Sequence, residues 1–148
     1  MRLFSGIQTF MTEAGENACY TLCLIDVALE YFQDHGINKE LDVISEIKTA
    51  VQKKYINYNW TDKNDNDNFY VQYPALFLEQ LTGKKWLVRH DIAFYKPEKN
   101  EYVINRYERQ KTGYVTGHFE REDFYPICDS LTVRYGQLKS TRVCKVLN

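Results

Sequence analysis

Several kinds of sequence are missing from this chain, and each absence removes a class of function. No apolar run approaches the roughly 20 residues that a membrane-spanning helix needs. The opening Met1-Arg2-Leu3-Phe4-Ser5 lacks the apolar core of a secretion signal, so a cytoplasmic location is expected. The net charge is −1, with 19 Lys and Arg against 20 Asp and Glu. That balance gives no electrostatic reason to expect nucleic acid or a membrane surface as a partner. Four cysteines in 148 residues, without such a signal, do not make a secreted disulfide scaffold, and reduced thiols are expected. Gly-rich phosphate loops, serine elbows and dinucleotide fingerprints are absent. No cofactor is expected, and there is no internal repeat. Histidine occurs only 3 times, so few side chains are candidates for a general base.

What is present is an ordinary globular composition, 44% hydrophobic and 26% charged. A chain of this length can bury a real core, and a single domain over residues 1–148 is expected. Aromatic content is 15%, with 12 Tyr, which suits a half built of strands.

The stretch Gly15 to Leu29 reads as a polar turn breaking into an apolar helix. The helix is expected from about Ala18 to Asp34, with Asn17 as N-cap and Gly36 as the left-handed C-cap. Leu22, Ile25, Leu29 and Phe32 form its buried stripe, broadened by Cys23, Val27 and Tyr31. Cys19 then falls at the second helical position, where the positive end of the helix dipole favours thiolate over thiol. A small buried hydrophobe is the other reading of such a cysteine, and it suits Cys23, Cys128 and Cys144.

A second helix is expected from about Lys39 to Lys54, capped by Asn38, with Leu41, Ile44, Ile47 and Val51 on one face. Residues Asn57 to Asn68 read as a solvated loop. Asp62, Asn64 and Asn66 have calcium-loop spacing, but no central glycine follows and Tyr73 stands where the closing glutamate belongs. Tyr73-Pro74 opens a third helix with Leu76, Phe77 and Leu81 buried and Gly83 as C-cap. The period then changes to two. Lys85–His90, Tyr102–Tyr107, Tyr114–Glu120, Leu131–Tyr135 and Thr141–Val146 read as strands. Turns are expected at Pro97 to Asn100, Arg109 to Thr112 and Gly136-Gln137. Helices first and an antiparallel sheet second make an α+β fold.

Of the histidines, His35 suits a helix C-terminus and His90 reads as surface. His118 lies on a strand beside Gly117, which removes bulk. Alternation sets Val115 and Phe119 on one face and His118 on the other. It reads either as a general base or as an exposed strand histidine. A zinc site of Cys19, Cys23, His118 and Cys128 has no CxxC or HxxxH pair to support it, so no metal is expected.

Asn17 to Cys23, Phe69 to Pro74, Leu81 to Trp86, Gly117-His118-Phe119, Asp129 to Gly136 and Ser140 to Val143 follow one another in an order that resembles the papain-like cysteine peptidases. More narrowly, it is similar to the double-glycine (bacteriocin-processing) peptidase-like branch and to small proteins from spirochaete plasmids and bacterial phages. The resemblance implies a papain-like fold with the nucleophile on the first helix. It implies Cys19 as nucleophile, His118 as base, and a peptide or protein as substrate. It implies an acid or amide just after the histidine strand, for which Asp129 is preferred over Asp123. Tyr125-Pro126 stands where an Asp-Pro is common. It also implies a glutamine oxyanion donor about six residues before the cysteine. Glu13 occupies that place, and Gln8 is the nearest glutamine. Losing such a donor costs about 10²–10³ in rate. Two functions follow as expectations. One is a thiol hydrolase or acyl-transfer enzyme acting on a peptide or related amide bond. The other is the same fold without working chemistry, a phage- or plasmid-encoded binding protein.

Overall fold

A computed structural model describes residues 18–59, 61, 62, 65, 67–127 and 136–147. Within them the chain is α+β, three helices followed by a four-stranded antiparallel sheet. Helix α1 spans Cys19–Asp34, α2 spans Val43–Gln52 and α3 spans Pro74–Thr82. Strands β1 (Trp86–Ile92), β2 (Glu101–Lys111), β3 (Tyr114–Glu120) and β4 (Gln137–Val146) follow. Their order across the sheet is β1-β4-β2-β3.

Helix α1 is the centre of the core, with Leu22, Cys23, Leu24, Ile25, Val27 and Ala28 fully buried. Burial on consecutive positions means that it is packed from several sides rather than along one stripe. Its C-terminus closes as expected. Ile37 N donates to Phe32 O at 2.8 Å, and Gly36 takes φ +62°, the left-handed geometry that glycine adopts without a Cβ penalty. His35 Nδ1 donates to Tyr31 O at 2.9 Å, satisfying one of the helix's last carbonyls. At the other end Ala18 is the residue flanking the helix, so Cys19 is the first helical residue rather than the second. Asn17 lies outside the described residues.

Helix α2 starts later than the periodicity suggests. Asp42 caps it, its carboxylate accepting from Ser45 N at 3.1 Å. Leu41 is buried in the preceding segment, and Val43, Ile47 and Ala50 make the helix's buried face. In α3, Pro74 holds the first turn and Gly83 ends the helix at φ +73°. Phe77, Leu78 and Leu81 are buried, whereas Leu76 is exposed. The described residues of 57–68 form no helix or strand, as expected of a loop. Asn59 N donates to Asn68 Oδ1 at 2.6 Å and Asn68 Nδ2 to Asp62 O at 3.0 Å, while Asn64 and Asn66 lie outside the described residues.

Strand β3 keeps its expected limits. Strand β2 runs on to Lys111, through the expected 109–112 turn, because residues 105–111 pair with β3. Strand β4 begins at Gln137 rather than Thr141, and the register shifts opposite Arg106 and Tyr107. Lys139 is the extra residue of that bulge, which bends the sheet locally. The expected strand at 131–135 lies outside the described residues.

Three polar contacts fix the sheet and the following loop to α1. Arg121 Nη2 meets Glu30 Oε1 at 2.5 Å, and Tyr102 Oη donates to Asp34 Oδ2 at 2.9 Å. Asp26, buried inside the helix, accepts from Ile127 N at 2.9 Å. None of the described helices is long and apolar enough to cross a membrane.

Candidate functional site

One face of the sheet changes character along its strands. Towards one end it carries Trp86 and Val88 on β1, Cys144 and Val146 on β4, and Tyr102 and Ile104 on β2. Two residues further along the same face come His90, Arg142 and Arg106. Alternation keeps all of these side chains on one side. Helix α1 lies across that side. Near its C-terminal end Tyr31 packs on Trp86, with ring centroids 5.6 Å apart. At its N-terminal end Tyr20 stacks on Phe119 of β3 at 4.4 Å. The positive end of the helix dipole therefore lies at the cationic end of the sheet.

A cleft of about 560 Å³ opens there. Cys19, His90, Arg106, Gly117, Phe119 and Arg142 line one part of it, and the 68–72 segment and Pro74 line the rest. The Arg142 guanidinium sits 5.3 Å and that of Arg106 5.9 Å from the centre of the Phe119 ring, within cation–π range. Gly117 leaves room for the Arg106 guanidinium. A Cβ there would lie 2.5 Å from Arg106 Nη2. The group that comes close to this glycine is thus a side chain.

The charges leave their marks on neighbouring groups. Partial burial lowers the pKa of His90, and Arg142 and Arg106 lower it further. Burial also lowers the pKa of Arg142, with Arg106 adding repulsion and Tyr20 opposing it. Desolvation raises the Tyr20 phenol far above its ordinary value. Among the cysteines, Cys23 and Cys144 are fully buried, and Cys19 is partly exposed at the cleft. Burial pushes the Cys144 thiol up to about 12, which suits a packed, inert residue.

The residues expected to act together do not all converge. Cys19 faces the cleft beside Gly117 and Phe119. His118 lies between those two on β3, so the pleat turns it to the opposite face. There its Nε2 lies 3.9 Å from Glu120 Oε1, with 16% of the side chain exposed. The apolar face of β3, marked by Phe119, is the one that meets the cysteine helix. Strand alternation therefore sets His118 on the face of β3 away from the one that Gly117 and Phe119 present to the Cys19 cleft. Asp123 follows β3 and is exposed. It borders a second cavity, of about 740 Å³, with Glu30, Asp34 and Arg121. Gln8, Cys128 and Asp129 lie outside the described residues.

His90, expected at the surface, is exposed but borders the Cys19 cleft. No role in the site is expected of Arg106 or Arg142 from the sequence, although Arg142 lies within the Ser140 to Val143 stretch. Their signal was parity: each is a charge two residues from a buried residue of the same strand face, Ile104 and Cys144. Among the described residues, no three His, Cys, Asp or Glu side chains are grouped to hold a metal ion. No protein-family model, no curated protein and no solved structure matches the chain.

Proposed function

We propose that the chain is a papain-like binding module. Its Cys19 cleft receives a peptide or protein segment, and no Cys19–His118 pair cleaves it. The observation that supports this reading is the opposite facing of the two side chains on either side of the β3 pleat. Thiol catalysis needs a base within hydrogen-bond reach of the sulfur or one water away. A phage- or plasmid-encoded interaction protein is the setting that the sequence resemblance implies.

A second reading keeps the chemistry and changes the base. His90 borders the same cleft as Cys19. In a thiol hydrolase built that way, His90 takes the Cys19 proton, the thiolate attacks a peptide or related amide carbonyl, and the C–N bond breaks as His90 returns the proton to the leaving amine. The Cys19 N–H holds the oxyanion, and water or an amine releases the acyl-enzyme.

Limiting iodoacetamide from about pH 5 to 9, with the labelled cysteine mapped, separates the readings. The binding module predicts a Cys19 labelling profile that His118→Ala leaves unchanged, and a peptide library left uncut. Loss of labelling below about pH 8 in His118→Ala would restore the expected dyad and overturn the binding reading. The same loss in His90→Ala, together with cleavage of the library, would establish the second reading.

A further inference from the structure

We propose that the cleft recognises a peptide carboxylate, gripped by Arg142 with Arg106 and His90 beside it. This rests on the reading of the Cys19 cleft as a peptide-binding site and names what that site selects.

Arg142 is central. It sits on an inner strand, directly opposite His90 on β1, with Arg106 two residues beyond its β2 partner Ile104 on the same face. The two guanidinium charges on one sheet face repel each other, and both disfavour a proton on His90. Arg106 has a carboxylate partner in Glu108. Among the described residues Arg142 donates to Ser140 Oγ and Thr141 O, both at 3.2 Å. Among the described residues no carboxylate pairs with it. Its contact with the Phe119 ring orients the guanidinium but does not neutralise it. The start of α1 adds further positive potential at the same place. A half-buried guanidinium beside a second guanidinium, that of Arg106, is costly alone and becomes favourable when an anion docks.

The walls select the kind of anion. Tyr20, Phe69, Val71, Pro74 and Phe119 give the cleft a large apolar and aromatic share, which a bare inorganic anion cannot use. A peptide supplies both parts, since its carboxylate fits the planar fork of an arginine and its flanking side chains cover the apolar walls. The cavity of about 560 Å³ is within the size range of small-ligand sites.

Calorimetric titration tests this with four probes. The first is the capped peptide Ac-Ala-Leu-Glu-Leu-Ala-amide. The second is its Gln counterpart, and the third is that Gln peptide with a free C-terminal carboxylate. The fourth is inorganic phosphate. At least one carboxylate peptide is expected to bind about tenfold or more tighter than the neutral peptide and to slow alkylation of Cys19. Arg142→Gln abolishes that preference, and Arg142→Lys keeps part of it. Preference for the Glu peptide identifies a side-chain anchor, and preference for the free terminus identifies a C-terminal one. Circular dichroism of each variant verifies its fold. Equal binding of the neutral peptide overturns the inference. So does a preference that survives Arg142→Gln in a folded variant, binding of phosphate alone, or no binding at all. If labelling depends on a histidine while the carboxylate preference holds, the binding-module reading falls and the anchor stands as a substrate determinant. If labelling is independent of histidine but the preference is absent, only the anchor falls.

Discussion

Residue environments separate the three described cysteines. Cys19 stands at the rim of the cleft, while Cys23 and Cys144 are fully buried. Brief alkylation of native protein at neutral pH, followed by peptide mapping, is expected to modify Cys19 and spare the other two. His90 offers a second probe. Its partial burial and the two neighbouring arginines lower its pKa, so by NMR its ring is expected to titrate below the ordinary value of about 6.5. Arg142→Gln removes one of those charges and is expected to raise the midpoint. The sign for stability follows by linkage. The unfolded chain binds this proton more readily than the folded one. The stability associated with neutral His90 is therefore present above about pH 6.5 and is lost as pH falls through the lower folded-state value. His90→Gln is expected to flatten the pH dependence of denaturant midpoints in that window.

At the scale of elements, capping decides limits that periodicity leaves open. An apolar stripe beginning at Leu41 marks a helix from Lys39, yet Asp42 sets the start by accepting from Ser45 N. Leu41 is still buried, outside the helix. Asp42→Ala is expected to destabilise the protein by about 1 kcal/mol, read as a lower urea midpoint at constant slope. Strand limits were less visible because pairing sets them. Residues 105–111 of β2 stay extended through their ladder with β3, although Arg109, Gln110 and Lys111 are polar. In α3, Leu76 and Leu78 are equally apolar, and only the packing direction of the helix chooses Leu78 for the core.

For the whole molecule, α1 joins everything. It packs with α3 and with β2 and β3, and it is held to the sheet by Glu30–Arg121 and Asp34–Tyr102. Phe77, fully buried in the core that α1 and α3 share, leaves a large cavity when truncated. Phe77→Ala is expected to cost about 3–5 kcal/mol, measured as a fall in the urea midpoint. Tyr102→Phe removes one hydrogen bond to a charged acceptor at little change in volume. It is expected to cost about 1–3 kcal/mol, a difference that the same titration resolves. The cleft exists only at this scale. It takes the start of α1, all four strands and the 68–74 segment to enclose it.

The sequence by itself determined the order of elements, the closing glycines of α1 and α3, and the helix that carries Cys19. These are local matters: an apolar period, a proline at a helix start, a residue that accepts positive φ. The alternation around His118 was legible too, and it already set Phe119 on the other face. What the sequence did not contain was which face of β3 would meet α1. That was decided by tertiary packing, through the stacking of Tyr20 on Phe119. Choosing the face of one strand brings Gly117 rather than His118 to the cysteine. It also gathers His90, Arg106 and Arg142 from positions far apart in the chain into one cationic cleft. Sequence spacing carries no record of such a choice, because strand pairing across a sheet joins residues whose separation along the chain is arbitrary.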